Sequence, residues 1–173
     1  MATTVSYAAS LCTRKYTSSS NAKSSAACQE FYDSSYNYVG IISFPGLNLE
    51  NKVITEIWLD IDAEKAGYGV KNTKTVYLRK ANYQDDIASG VTGGQYVGDE
   101  LGTFEGAFYG NYNGYHITGP LFDAMAAYIS AGNNSFTIYN PYASASSHGY
   151  SFNYMQLESI VITVTYEEAV SQP

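Results

Sequence analysis

Charge is scarce in this chain. Only 14% of its 173 residues are Asp, Glu, Lys or Arg, and nine basic residues face sixteen acidic ones, for a formal net charge of −7. Nucleic-acid binding needs Lys and Arg clustered against phosphate, so this balance argues against that partner and, equally, against an anionic membrane surface. Long apolar runs are missing too: no stretch approaches the ~20 residues that span a bilayer. The opening "MATTVSYAAS" has neither the basic start nor the apolar middle of a secretory signal. Both absences lead to the expectation of a chain made in a cytoplasm and released, if at all, by lysis.

Cysteine is nearly absent. The two residues, Cys12 and Cys28, have no CxxC spacing and no neighbouring histidine, so they do not read as metal ligands; a single bridge or two free thiols both fit the sequence. No unit of 20 to 50 residues recurs, which excludes solenoids and propellers. Catalytic signatures are missing as well: there is no GxSxG, HExxH or P-loop. "GGQYVG" has glycines but no strand-then-helix setting. His116 and His148, the only two histidines, have no Ser, Cys or paired His at a motif spacing, so each reads as an exposed or hydrogen-bonded side chain. The expectation is a protein that is not an enzyme and carries no cofactor.

What the sequence does hold is tyrosine, 18 of them, with 15 glycines. Tyr offers contact area at low entropic cost and also suits strands, so its abundance fits both a binding surface and a β-rich fold. Alternation decides the fold class. In "VITEIWLDID", Ile57, Leu59 and Ile61 share one face and Glu56, Trp58, Asp60 and Asp62 the other. "TKTVYLRK" sets Val76 and Leu78 against Tyr77 and Arg79, and "ESIVITVTY" sets Ile160, Ile162, Val164 and Tyr166 against Ser159, Val161, Thr163 and Thr165. "TVSYAASLCTRKY" and "YNYVGIISF" read as further strands, the latter closed by the turn "PGLNLENK". "TSSSNAKSSAA" reads as a polar loop, and the Gly-, Asn- and aromatic-rich stretch from Ala88 to His116 as short strands joined by turns.

One segment breaks the pattern. In "GPLFDAMAAYISAGNNSFTIYN", Pro120 suits a first helical turn, while Leu121, Phe122, Met125, Tyr128 and Ile129 form one helical face. Gly132 follows as a left-handed cap, and Phe136 and Ile138 resume strand period. Many short alternating strands with one helix predict an all-β chain: a single antiparallel β-sandwich over residues 1–173, jelly-roll-like, with a short crossover helix near residues 120–131.

The order "YVGIISFPGLNLENKVITEIWLDI", "GPLFDAMAAYISAGNNSFTIYN", "SIVITVTY" resembles DNRLRE-type β-sandwich domains, jelly rolls similar to carbohydrate-binding modules. Phe44 matches the aromatic that closes the early strand, Ile57, Leu59 and Ile61 the inward series, and Val164 and Tyr166 the terminal strand. "FPGLNLENKVIT", "TKTVYLRK", "AAYISAGNNSFTIYN" and "VTYEEAV" are similar to N-terminal domains of minor structural, tail-associated proteins in phages and prophages of Gram-positive gut bacteria. The resemblance covers the chain from about residue 38 and rests on packing motifs. It implies a virion structural protein of a tail or surface appendage that self-associates or docks on other virion proteins. The alternative it implies is a carbohydrate-binding module attaching a phage or an enzyme to a host-surface glycan.

Two residue sets follow. Ile41, Trp58, Tyr77, Tyr139 and Val161 fall opposite the inferred core and would form a protein-contact face if gathered on one sheet. Tyr96, Tyr109, Tyr112, Tyr115, Tyr142 and Tyr150 lie in Gly- and Asn-rich stretches, where rings could stack on sugars or pack on loop backbone. Acidic groups occur as Asp60, Asp62 and Glu64, as Asp85 and Asp86, and as Asp99 and Glu100. Calcium takes six to eight oxygens, which one such cluster with loop carbonyls could supply, but outward strand carboxylates and isolated pairs ordinarily stay solvated. Chelation with EDTA is therefore expected to leave the melting temperature unchanged, whereas a drop of several degrees that calcium restores would reveal a structural ion.

Overall fold

The computed structural model describes residues 1–16, 21–24, 28–30, 37–66, 74–81, 97–106, 112–139 and 155–170. Among the described residues eleven strands build two antiparallel sheets. The first runs β1 (Thr3–Ala8), β11 (Met155–Glu168), β6 (Lys52–Ala66), β9 (Tyr112–Ile117), and the second runs β5 (Asn37–Ser43), β10 (Ser135–Tyr139), β7 (Lys74–Ala81), β8 (Val97–Gly106). Apart from the β7–β8 hairpin, the chain changes sheet between each successive pair of strands from β5 to β11, which is jelly-roll connectivity. β2 (Ser10–Tyr16) and β3 (Asn21–Ser24) extend the second sheet beyond β5, and β4 (Cys28–Glu30) pairs with β11. The expected β-sandwich with its crossover helix is the observed fold.

The two sheets meet along the apolar series that the alternation marks. Ile57, Leu59 and Ile61 of β6 and Ile160, Ile162 and Val164 of β11 join Ile42, Val76, Leu78, Phe136 and Ile138 of the second sheet in one buried cluster. Each such side chain contributes about 1.5–3 kcal/mol by leaving water. Phe44, just past β5, packs edge-on against Phe136 at 6.0 Å. Leu47 and Leu49, in the turn segment after it, are buried too.

The helix α1 (Gly119–Ser130) carries the chain from β9 to β10 and buries Leu121, Met125, Tyr128 and Ile129. It starts after Thr118, which holds extended backbone and makes no side-chain cap bond, so Pro120 carries the start signal alone. It ends where Gly132 takes φ of 96° and donates its N–H to the Ile129 carbonyl, the left-handed cap that a Cβ would strain. The last turn is tied to β6 as well: Ser130 Oγ donates to the Lys52 carbonyl at 2.8 Å, and Asn51 N–H to the Ser130 carbonyl at 2.9 Å.

Two sequence readings differ from the structure. The run "TVSYAASLCTRKY" is not one strand: β1 belongs to the first sheet and β2 to the second, with the switch at Ala9, whose N–H reaches the Ile160 carbonyl at 2.8 Å. Small residues at Ala8, Ala9 and Ser10 let the backbone turn there without interrupting the alternation that the eye follows. The Ser-rich stretch also is not all loop, because β3 pairs with β2 from Thr13↔Ser24 to Tyr16↔Asn21. The sequence of β3, "NAKS", carries no apolar alternation to signal it.

Tyr128 is the most polar element of the core. Its hydroxyl donates to the Ser135 carbonyl at 2.6 Å and accepts from the Ala81 N–H at 3.3 Å, while its ring packs edge-on against Phe136 at 5.3 Å. Burial, partly offset by the Ala81 bond, raises its pKa above the ordinary phenol value. The folded state thus favours the neutral phenol, so its contribution is intact below about pH 10 and is lost as pH rises through the folded pKa. Tyr128→Phe is expected to cost about 1–3 kcal/mol at neutral pH and to lose less stability than wild type between pH 9 and 11, measured by urea unfolding.

Candidate functional site

The expected protein-contact set does not form one face. Trp58 and Val161 lie on the outer side of the first sheet, whereas Ile41 and Tyr77 lie on strands of the second, with Tyr139 placed opposite Tyr77 by register. Ile41 is also not at the surface. It is 0% exposed, and Ser43, Ser135 and Thr137 on the same side of β5 and β10 are buried with it, the two serine hydroxyls 3.0 Å apart. The phase of the alternation is right, but the non-core side of this sheet is itself shielded from water at β5 and β10. Outward phase does not guarantee exposure.

Trp58 is different: at 37% it is an exposed large side chain, and it is organised. β6 pairs with β9 so that Trp58 stands opposite His116, and the two rings stack with centroids 4.5 Å apart and an interplanar angle of 8°. Glu56, two residues along the same face of β6, ties both down. Its Oε1 accepts from Trp58 Nε1–H at 3.1 Å and lies 3.4 Å from His116 Nε2. The next cross-strand pair on this face is Asp60 opposite Gly114. A Cβ at Gly114 would come within 2.9 Å of Asp60 Oδ1 and 3.9 Å of Trp58 Cε3, so the glycine keeps the strip beside the indole clear. Across β11 and β1 the same face continues in hydroxyls, with Ser6 bonded to Thr163 at 2.8 Å and Thr4 to Thr165 at 2.9 Å.

His116 also lines a groove of about 420 Å³ where β8 and β9, the terminal strands of their sheets, diverge on one side of the sandwich. Phe104 of β8 and Tyr115 of β9 meet there with ring centroids 5.3 Å apart. Leu121 of α1 lines one end, and Thr103, Glu105, Thr118 and His116 supply polar groups. Aromatic and polar residues thus line one groove, as in many small-ligand sites, with Thr103 and Glu105 on the face of β8 opposite Phe104 and His116 on the face of β9 opposite Tyr115. The Trp58 stack stands at its outer lip through His116 and Gly114.

Of the loop tyrosines, Tyr115 falls in this groove. Tyr112 opens β9 opposite Asp62, and Tyr96, Tyr109, Tyr142 and Tyr150 lie outside the described residues, as do Asp85, Asp86 and His148. Asp60 and Asp62 are half-buried on β6, and Asp99 and Glu100 are exposed on β8. Among the described residues no three His, Cys, Asp or Glu side chains gather as a metal site, and no helix is long and apolar enough to cross a membrane. Cys12 lies on β2 in the second sheet, and Cys28 on β4, against β11 of the first.

The sequence reading treated His116 as a lone histidine and passed over Gly114, Phe104 and Glu105. Their significance comes from β6–β9 pairing and from the approach of β8 to β9, neither of which any local spacing reports. No family model matches the chain, and no curated protein matches it.

Trp58 is the only tryptophan, so fluorescence excited at the red edge, where tyrosine does not absorb, reports this site alone. His116→Ala is expected to red-shift the emission by exposing the indole and to lower stability by at most about 1 kcal/mol. An unchanged spectrum would show that the stack does not persist in solution.

Proposed function

We propose that this domain is a non-enzymatic glycan-binding module, the groove between β8 and β9 with the Trp58–His116 lip forming its binding site. The observation that supports it is a groove of about 420 Å³ in which Phe104 and Tyr115 meet and whose rim includes Thr103 and Glu105 of β8 and His116 of β9. Sugar rings present an apolar face and an equatorial belt of hydroxyls, which such an aromatic pair and polar rim complement. In the setting implied by the resemblance, a phage or prophage virion, the module would sit in a tail or surface appendage and contact the host envelope.

Assembly through a flat apolar face draws less support. The residues proposed for that face divide between two sheets and include a buried isoleucine, while Trp58 is surrounded by Glu56, Asp60, His116 and Thr163. Other virion proteins or a second copy remain the partners to test beside glycans. The test is a glycan array followed by affinity electrophoresis in the host cell-wall polysaccharide, with light scattering for oligomeric state. Wild type is expected to be retarded, and Trp58→Ala to lose roughly tenfold or more in affinity, the loss expected of an aromatic hot spot, with a melting temperature within a few degrees. A protein that binds no glycan yet assembles with itself or with virion components would reverse the choice.

A further inference from the structure

Resting on the glycan reading, we infer that Asp60 is the specificity-determining residue of the site: beside the Trp58 lip it reads free, adjacent hydroxyls of a neutral sugar. Trp58 and Asp60 stand two residues apart on β6 and so share the outer face of the first sheet, where Trp58 faces His116 and Asp60 faces Gly114 across β9. The indole is oriented along the strand. Its Nε1–H is bound to Glu56 on one side, and its Cε3 edge lies on the Gly114 side. The imidazole covers one face of the indole, yet the residue stays exposed.

The carboxylate is poised by that glycine. A Cβ at Gly114 would lie 2.9 Å from Asp60 Oδ1, so the acid leans over bare backbone, with the indole edge 3.9 Å from the same point. Asp60 is half-buried, and among the described residues no hydrogen bond or ion pair engages its carboxylate. Its acceptor capacity is thus left for solvent or ligand. An ionised carboxylate only accepts hydrogen bonds, and its two oxygens can take two adjacent hydroxyls at once. A sugar ring whose apolar side rests on the exposed indole surface brings such hydroxyls to it. An ether or ester in their place has no proton to donate, and a sugar acid brings its own negative charge toward Asp60 and Glu56. Gly114 also lines the groove, so the Asp60 position and the groove form one continuous surface.

The experiment uses unbranched oligosaccharides of glucose, galactose and mannose, each with free hydroxyls or fully O-methylated, with oligogalacturonate as the acidic arm. Affinity is measured by calorimetry on wild type, Asp60→Ala, Asp60→Asn and Gly114→Ala, with melting curves and Trp58 emission showing that each variant is folded. Free-hydroxyl oligomers are expected to bind about tenfold more tightly than their O-methylated partners, the scale of a hydrogen bond to a charged group. Oligogalacturonate is expected to bind less tightly than any neutral oligomer that binds. Asp60→Ala should erase the margin while leaving the affinity for O-methylated oligomers in place, and Asp60→Asn should keep part of it. Gly114→Ala should reduce the margin by displacing the carboxylate with the acid still present. A margin that survives Asp60→Ala, or equal or tighter binding of O-methylated or acidic oligomers, overturns the inference and leaves the glycan reading standing. Absence of binding to every oligosaccharide here and on the array overturns both.

Discussion

The antiparallel pairing of β6 with β11 is the constraint on which the rest of the domain depends. Its register runs from Lys52↔Glu168 to Ala66↔Met155, with shifts near Gln156, Leu157 and Thr165. Because side chains alternate, one register fixes both faces at once: Ile57, Leu59 and Ile61 lie with Ile160, Ile162 and Val164 on the dry side, and Trp58 and Asp60 lie opposite Thr163 and Val161 on the other. A slip of one residue would exchange the core for the outer face. The core thus protects the site, since hydrophobic burial that no surface interaction could match holds Trp58 outward.

The same pair positions the groove indirectly. β6 holds β9 as the last strand of its sheet, while β10 and β7 hold β8 as the last of the other. Where both sheets end on one side, the sandwich is open, and α1 fills only part of that opening with Leu121. Terminal strands invite unwanted pairing with other chains. Here the acidic residues Asp99, Glu100 and Glu105 on β8, together with the irregular register against β7 near Arg79, discourage it.

The fold was largely legible in the sequence because burial writes itself into period. β5, β6, β7, β10, β11 and the helix all carry apolar alternation or a 3.6-residue stripe, and the structure places Val76, Leu78, Phe136 and Met125 inward as that period requires. The Ala9 sheet switch and β3 were illegible, since a bend at small residues and a four-residue polar strand leave no periodic trace. The site was legible in part. Trp58 was marked by its phase, but its partner His116 is 58 positions away and is brought to it by register alone. Ile41 had the same phase as an exposed residue and is buried, because period reports which side a residue faces and not what lies over that side.

The placement of β1 has a mechanical consequence. Thr3 pairs with Tyr166 and Ala8 with Val161, so the two ends of the described chain leave the sheet side by side at the same edge. Traction that draws those ends apart loads the β1–β11 hydrogen bonds one after another, as in peeling, and does not shear them all together. Six residues of pairing would yield at low force, from the edge inward, while the β6–β11 seam and the groove on the far side of the sheet stay intact. Release of β1 would thus lengthen the chain while the geometry of the groove stays as it was.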